Sequence, residues 1–205
     1  MLSSKMRIRA LIGAGTVAAM CAMPAMGTRV DLLVYENADN ADTSVLDLWV
    51  DVLPSAGGVD FVFHNDGTDG VAANVYFENT AFSSAFMSNG AITFQSAGVN
   101  FAPGGSPGNP APPGMMWGGA WAGNIFSAGA TPPPSMNGLS PGETMTISFD
   151  LTGATVADVL DALNSGSFRI AQHVISIGEF SVWTITPAPS ALALLGLAAV
   201  GRRRR

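Results

Sequence analysis

Residues 45–53 read Val45-Leu46-Asp47-Leu48-Trp49-Val50-Asp51-Val52-Leu53. Leu46, Leu48, Val50 and Val52 alternate with Asp47, Trp49 and Asp51, the two-residue period of a strand with one buried face. Val59, Phe61 and Phe63 repeat the pattern, with Asp60 and His64 opposite. Between the two runs, Pro54-Ser55-Ala56-Gly57-Gly58 is turn chemistry, so the pair predicts a β-hairpin.

The same period extends outward. Strands are expected over 71–78, 91–95, 144–151, 168–177 and 180–185. In the clearest of them Met145, Ile147 and Phe149 alternate with Thr144, Thr146 and Ser148. Short strands separated by Gly, Pro, Asn and Asp clusters predict a mainly β fold, an antiparallel β-sandwich of jelly-roll or Ig-like type. Only Ala157-Asp158-Val159-Leu160-Asp161-Ala162-Leu163 has helical spacing. Thr155 would cap its start and Asn164-Ser165-Gly166 would stop it, giving one short helix across an end of the sandwich. Two Pro-rich blocks, 102–114 and 131–135, are expected to be surface connections, because proline supplies no ladder donor.

Length and charge bound the rest. The chain has 205 residues, of which 48% are hydrophobic and 12% charged, enough apolar content for one domain with a buried core. Its net charge of -6 is an average over unlike parts. Seven of the nine basic residues lie in the first nine or the last four positions, and all 15 acids lie between Asp31 and Glu179. The middle therefore carries two arginines against 15 acids, a charge of -13. Such a body repels phosphate backbones and excludes nucleic acid as a partner.

The ends read as addresses. In residues 1–27, Lys5, Arg7 and Arg9 precede an apolar stretch, Ala10 to Ala22, too short to span a membrane as a helix. Ala25-Met26-Gly27 then offers small residues to a signal peptidase, with cleavage expected after Ala25 or Gly27. Cys21, the only cysteine, falls inside this segment, so the exported chain is expected to lack thiols, disulfides and thiolate metal sites. At the other end, 187–205, Pro187-Ala188-Pro189 precedes an apolar run, Ala191 to Val200, and the cluster Arg202, Arg203, Arg204 and Arg205. Prolines separate this segment from the body, and the arginines would stay cytoplasmic while the apolar helix enters the membrane. Ten residues make about 15 Å of helix, against roughly 30 Å of hydrocarbon, so the anchor is expected to be transient.

This three-part tail resembles the PEP-CTERM sorting signal of exported Gram-negative bacterial proteins, which exosortases recognise and cleave. Pro187 and Pro189 match the two prolines, and Ala188 stands where the namesake Glu usually sits, which bears on the sortase class. The body, 28–186, is similar to a recurrent β-rich domain of such proteins, in which a Pro-rich loop and the strand from Pro141 to Leu151 precede a short helix. The resemblance implies exosortase and signal peptidase as processing partners, and a cell-surface or extracellular location. It further implies a structural or adhesive role linked to exopolysaccharide or biofilm.

Chemistry in the body is sparse. Without cysteine or lysine, His64 and His173 are its only neutral-pH bases, and both are expected to be solvent-facing strand residues. There is no Gly-x-Ser-x-Gly elbow, no His-Glu-x-x-His and no phosphate-binding glycine loop, so no catalytic residue is assigned and no enzyme is expected. A carbohydrate-binding module, with Trp117 and Trp121 stacking on sugar rings, is the alternative reading, and a secreted hydrolase a third. The two tryptophans could equally cap the core. Trp49 and Trp183, each on a polar face, are candidates for one shared patch. No cofactor is required. The oxygen-rich loops Glu36–Asp42 and Asn65–Gly70 would suit Ca²⁺, or are solvated turns.

Overall fold

The computed structural model of the protein describes residues 27–106, 108 and 119–187. The signal segment before Gly27, the tail beyond Pro187 and Trp117 lie outside the described residues. The fold is mainly β, as expected, and consists of two antiparallel sheets around one core.

Among the described residues eleven strands run in chain order: β1 (Thr28–Asp31), β2 (Leu33–Glu36), β3 (Leu48–Ser55), β4 (Gly58–Asn65), β5 (Val71–Glu78), β6 (Met87–Gln95), β7 (Phe101–Pro103), β8 (Asn124–Ala130), β9 (Thr144–Leu151), β10 (Ile170–Ile177) and β11 (Phe180–Ile185). Five form one sheet in the order β1-β3-β4-β9-β6, and six form the other in the order β2-β11-β10-β5-β8-β7. The chain passes from the first sheet to the second at Leu32, whose amide donates to Leu48 O at 2.9 Å.

The 45–63 pattern folds as its period requires. Leu48, Val50 and Val52 of β3 and Val59, Phe61 and Phe63 of β4 are buried, and Val50 pairs with Phe63 in register. The turn is tighter than the expected five residues. It is Ala56-Gly57, with Gly57 at φ +84°, a conformation that disfavours any residue with a Cβ. Pro54 belongs to β3 and pairs with Val59. It is tolerated because β1 reaches only as far as Val52, so no ladder donor is required of it on that side. The strand expected to begin at 45 begins at Leu48, since Thr43–Val45 form a 3₁₀ turn capped by Asp42.

The two sheets meet at Phe77 of β5. Its ring centroid lies 5.0 Å from Phe61, 5.9 Å from Phe63, 4.9 Å from Phe149, 6.3 Å from Phe126 and 6.4 Å from Phe168, mostly edge-on. Edge-to-face pairs add to the large apolar area each ring buries. Met145 and Ile147 join from the first sheet, and Val75, Ile170, Val174 and Val182 from the second.

One helix was expected in the body; the described residues contain three. The expected one is α3 (Val156–Ser165), capped by Thr155 in a capping box with Asp158, and ended by Gly166 at φ +71°. It buries Val159, Ala162 and Leu163. The additional ones are α1 (Ala81–Phe86) and α2 (Pro134–Asn137). α1 carries its own sequence signal, a capping box between Thr80 and Ser83, but six residues are too few for a visible helical period. Both Pro-rich blocks are corrected in part. The first begins inside β7, an edge strand where Pro103 costs no central hydrogen bond, and the second runs into α2, which has proline in its first turn.

Phe77→Ala removes the ring that touches both sheets. It is expected to destabilise the protein by about 3–5 kcal/mol, read as a lower urea midpoint, whereas the exposed Phe94→Ala should change it little.

Candidate functional site

The chemistry-bearing side chains gather on the two outer faces, away from the core. On the six-stranded sheet, β5 is buried along its whole length, although only one of its faces looks into the sandwich. The other face carries Asn74, Tyr76 and Glu78, and the stretches on either side of residues 107–118 dock against it. On the first side, Asn74 Oδ1 accepts from Ser106 N–H at 3.1 Å and Ser127 Oγ from Gly105 N–H at 3.0 Å. Glycine is needed here: a Cβ on Gly105 would stand 2.8 Å from the Tyr76 ring, and one on Gly129 would stand 3.0 Å from Gly104 O.

On the second side the anchor is an ion pair. Arg169 and Glu78 are 3% and 2% exposed. Arg169 Nε donates to Glu78 Oε2 at 2.6 Å, and its Nη2 donates to Glu78 Oε1. Two further guanidinium protons go to Gly119 O and Ala120 O, each at 2.9 Å. Glu78 Oε1 also accepts from Ala122 N–H at 3.0 Å, and Asn79 N–H donates to Gly123 O. A buried ion pair is tolerated only when its remaining donors and acceptors are satisfied, and here backbone carbonyls of the returning chain supply most of that. Trp121 sits on this anchor. The Arg169 guanidinium lies 5.6 Å from its ring centroid, and its indole N–H donates to Asn124 Oδ1 at 2.8 Å.

Compared with protein-family models, curated proteins and solved structures, the chain matches none. The arrangement of its own residues is therefore the guide to its chemistry.

Each outer face carries a Trp–His pair across neighbouring strands. On the five-stranded sheet, Trp49 pairs in register with His64, and their rings stack at 3.7 Å with 2° between planes. From β1, on the other side of β3, Arg29 approaches the Trp49 ring to 4.6 Å while binding Asp31 and Asp47. The Trp49 indole N–H donates to Asp66 Oδ2 at 3.0 Å. On the six-stranded sheet, Trp183 pairs with His173 at 4.6 Å and leans on Tyr76 at 5.7 Å. The two tryptophans thus lie on different sheets and do not share a patch. The histidines do sit on outward faces, but half-buried under indole rings, not open to solvent.

His64 Nε2 stands 3.7 Å from Asp51 Oδ2, beyond a hydrogen bond, and among the described residues no serine is joined to either imidazole. Several side chains of the oxygen-rich loops are engaged in protein hydrogen bonds. Asn37 bonds both N–H and C=O of Ala41, and buried Asn65 binds Gly70 O and Leu139 O. Asp69 accepts from Gly70 N–H, and Asp66 from Trp49. Among the described residues no three acidic or histidine side chains converge as a metal site.

Sequence reasoning assigned no role to Arg169 or Glu78. A signal existed: Arg169 is one of two cations in an acidic body, and it stands between Phe168 and Ile170 at the start of an apolar strand.

Removing one partner of a buried pair leaves the other charge uncompensated. Arg169→Met is therefore expected to cost about 3–5 kcal/mol and to release the stretch 119–123 from β5, read as faster amide exchange there, while Arg169→Met with Glu78→Leu should recover much of the lost stability. A second prediction concerns acid. Burial lowers both imidazoles below their ordinary 6.5, opposed at His64 by the Asp51 and Asp66 carboxylates. The unfolded chain takes up protons below about pH 6.5 while the folded rings resist, so stability is full above that pH and declines as pH falls toward the depressed folded values. Thermal melts should fall across that window, and the slope should flatten in a His64→Gln, His173→Gln double variant.

Proposed function

We propose that the chain is an exported, exosortase-processed protein of the cell surface or extracellular matrix, structural or adhesive and not an enzyme. The observation that carries the reading is the tail, Pro187-Ala188-Pro189 followed by ten apolar residues and Arg202, Arg203, Arg204 and Arg205. The position of the tail relative to the fold supports it. Thr186 N–H donates to Ile170 O at 2.9 Å and Thr186 Oγ1 accepts from Ile170 N–H, and Pro187 follows at once. Cleavage beyond that residue would leave every strand in place. The signal-type segment, 1–27, ends just as closely, one residue before β1 begins at Thr28. A thiol-free, lysine-free domain stabilised by packed phenylalanines, with exopolysaccharide as its partner, suits that location.

Of the two sandwich types, jelly-roll is the better description. Of the ten connections between consecutive described strands, all but β3 to β4, β7 to β8 and β10 to β11 cross between the sheets, so consecutive strands are mostly not neighbours.

A second reading, glycan binding through Trp117 and Trp121, is favoured by one observation. Trp121 is held in a fixed orientation by Asn124 and Arg169, which lowers the entropic cost of presenting its ring.

Deleting 187–205 should change where the protein ends up, from the membrane or surface fraction to freely released protein, without lowering its melting temperature. An unchanged distribution refutes the sorting proposal. On a glycan array, binding lost in Trp121→Ala would favour the second reading, and no binding by the parent protein would remove it.

A further inference from the structure

A cleft of about 460 Å³ opens at one end of the fold between α1 and α3, far in sequence from the sorting segments. Phe82 and Phe86 form one wall, their ring centroids 5.4 Å apart and tilted by 54°. Phe82 is backed by Phe168 at 6.1 Å, which fixes the pair from the core side. Gly153 and Ala154 border the cleft, and the carbonyl of Phe86 is tied to this segment by Thr152 N–H at 3.0 Å. The opposite wall is the face of α3 that carries Asp158, Asp161 and Ser165, spaced three and four residues apart and so aligned along one side of the helix.

The two carboxylates differ. Asp158 Oδ2 accepts from both Thr155 N–H and Thr155 Oγ1 at 2.7 Å, and these bonds hold its pKa below the ordinary carboxylate value, so it stays anionic. Asp161 has no hydrogen-bond or ion-pair partner among the described residues. Neither arginine of the body lines the cleft: Arg29 is bound to Asp31 and Asp47, and Arg169 to Glu78.

We propose that the α1–α3 cleft binds an organic ammonium group, with Phe82 and Phe86 against its apolar, positively polarised surface and Asp161 and Asp158 facing its charge. Two arguments select this ligand class. A hard cation such as Ca²⁺ requires six to eight oxygens, and half of this cleft is hydrocarbon. A weakly hydrated alkylammonium is the cation that aromatic faces attract, and an unopposed carboxylate beside the rings adds charge attraction without a buried penalty.

The test uses choline, its neutral isostere 3,3-dimethyl-1-butanol, and an Nα-blocked lysine amide, titrated into ¹⁵N-labelled protein at constant ionic strength. Choline or the lysine amide should give saturable shifts at the amides of Gly153, Ala154, Ser165 and Ser167, and the neutral isostere should give none. A stronger response to choline would indicate a free quaternary amine, and one to the lysine amide a basic side chain of a partner; both support the site. Asp161→Asn and Phe86→Leu should each weaken binding by about twofold to fivefold, and Asp161→Lys should abolish it. Because Asp161 is exposed, an unchanged melting temperature separates loss of binding from loss of folding. Equal shifts with the neutral isostere, shifts scattered over the surface, or full binding by Asp161→Lys would each overturn the proposal.

Discussion

The outer side of the six-stranded sheet depends on one buried ion pair. Arg169 and Glu78 are almost wholly removed from water, and an isolated charge in that position would cost several kcal/mol. The fork of Arg169 meets both oxygens of Glu78 and still has protons to give. Those protons reach Gly119 O and Ala120 O, so the pair is stable only with the returning chain in place. The dependence is mutual. The stretch 119–123 is held to β5 by these charge-assisted bonds together with Ala122 N–H on Glu78, with the Trp121 ring beside the guanidinium.

This arrangement also explains why β5 has no exposed residue. Its inward side chains, Val75 and Phe77, complete the core, while Asn74, Tyr76 and Glu78 face outward into the docked segments. Phe77 and Glu78 are consecutive residues pointing to opposite faces, so one short stretch joins the aromatic centre of the sandwich to the polar anchor of the loop. Among the described residues no segment docks in this way on the five-stranded sheet. Its outward face carries Asp, Thr and Ser side chains and a single Trp–His–Arg stack, with Thr93 bonded to Ser148 and Asn89 to Asp150.

Much of the sheet structure was legible because period-2 alternation is a local property. The 59–63 run, the Met145-Ile147-Phe149 strand and the Thr155 cap all took the structure their sequences call for. Strands β1, β2, β7 and β8 were not legible, because three or four residues are too few to show a period and the second half of Asn124–Ala130, from Ser127 on, is small residues. Their strand character comes from partners: Gly129 is small because the backbone at Gly104 passes over it. The stacked histidines were missed for a related reason. Alternation assigns His64 and His173 to outward faces, but only cross-strand register places a tryptophan beside each.

The sequence by itself determined the β class, the shared hydrophobic core, the acidic and thiol-free character of the body, and the address-like composition of both ends. These follow from composition and short-range period, which need no knowledge of partners. Tertiary structure alone decided that Trp49 and Trp183 lie on different sheets, that Glu78 meets Arg169 across 91 positions of chain, and that Phe82 and Asp161 line one cleft. Each of these is a long-range coincidence fixed by strand order and register. No local pattern encodes it, because the favourable energy appears only once the intervening chain has folded and water has been excluded.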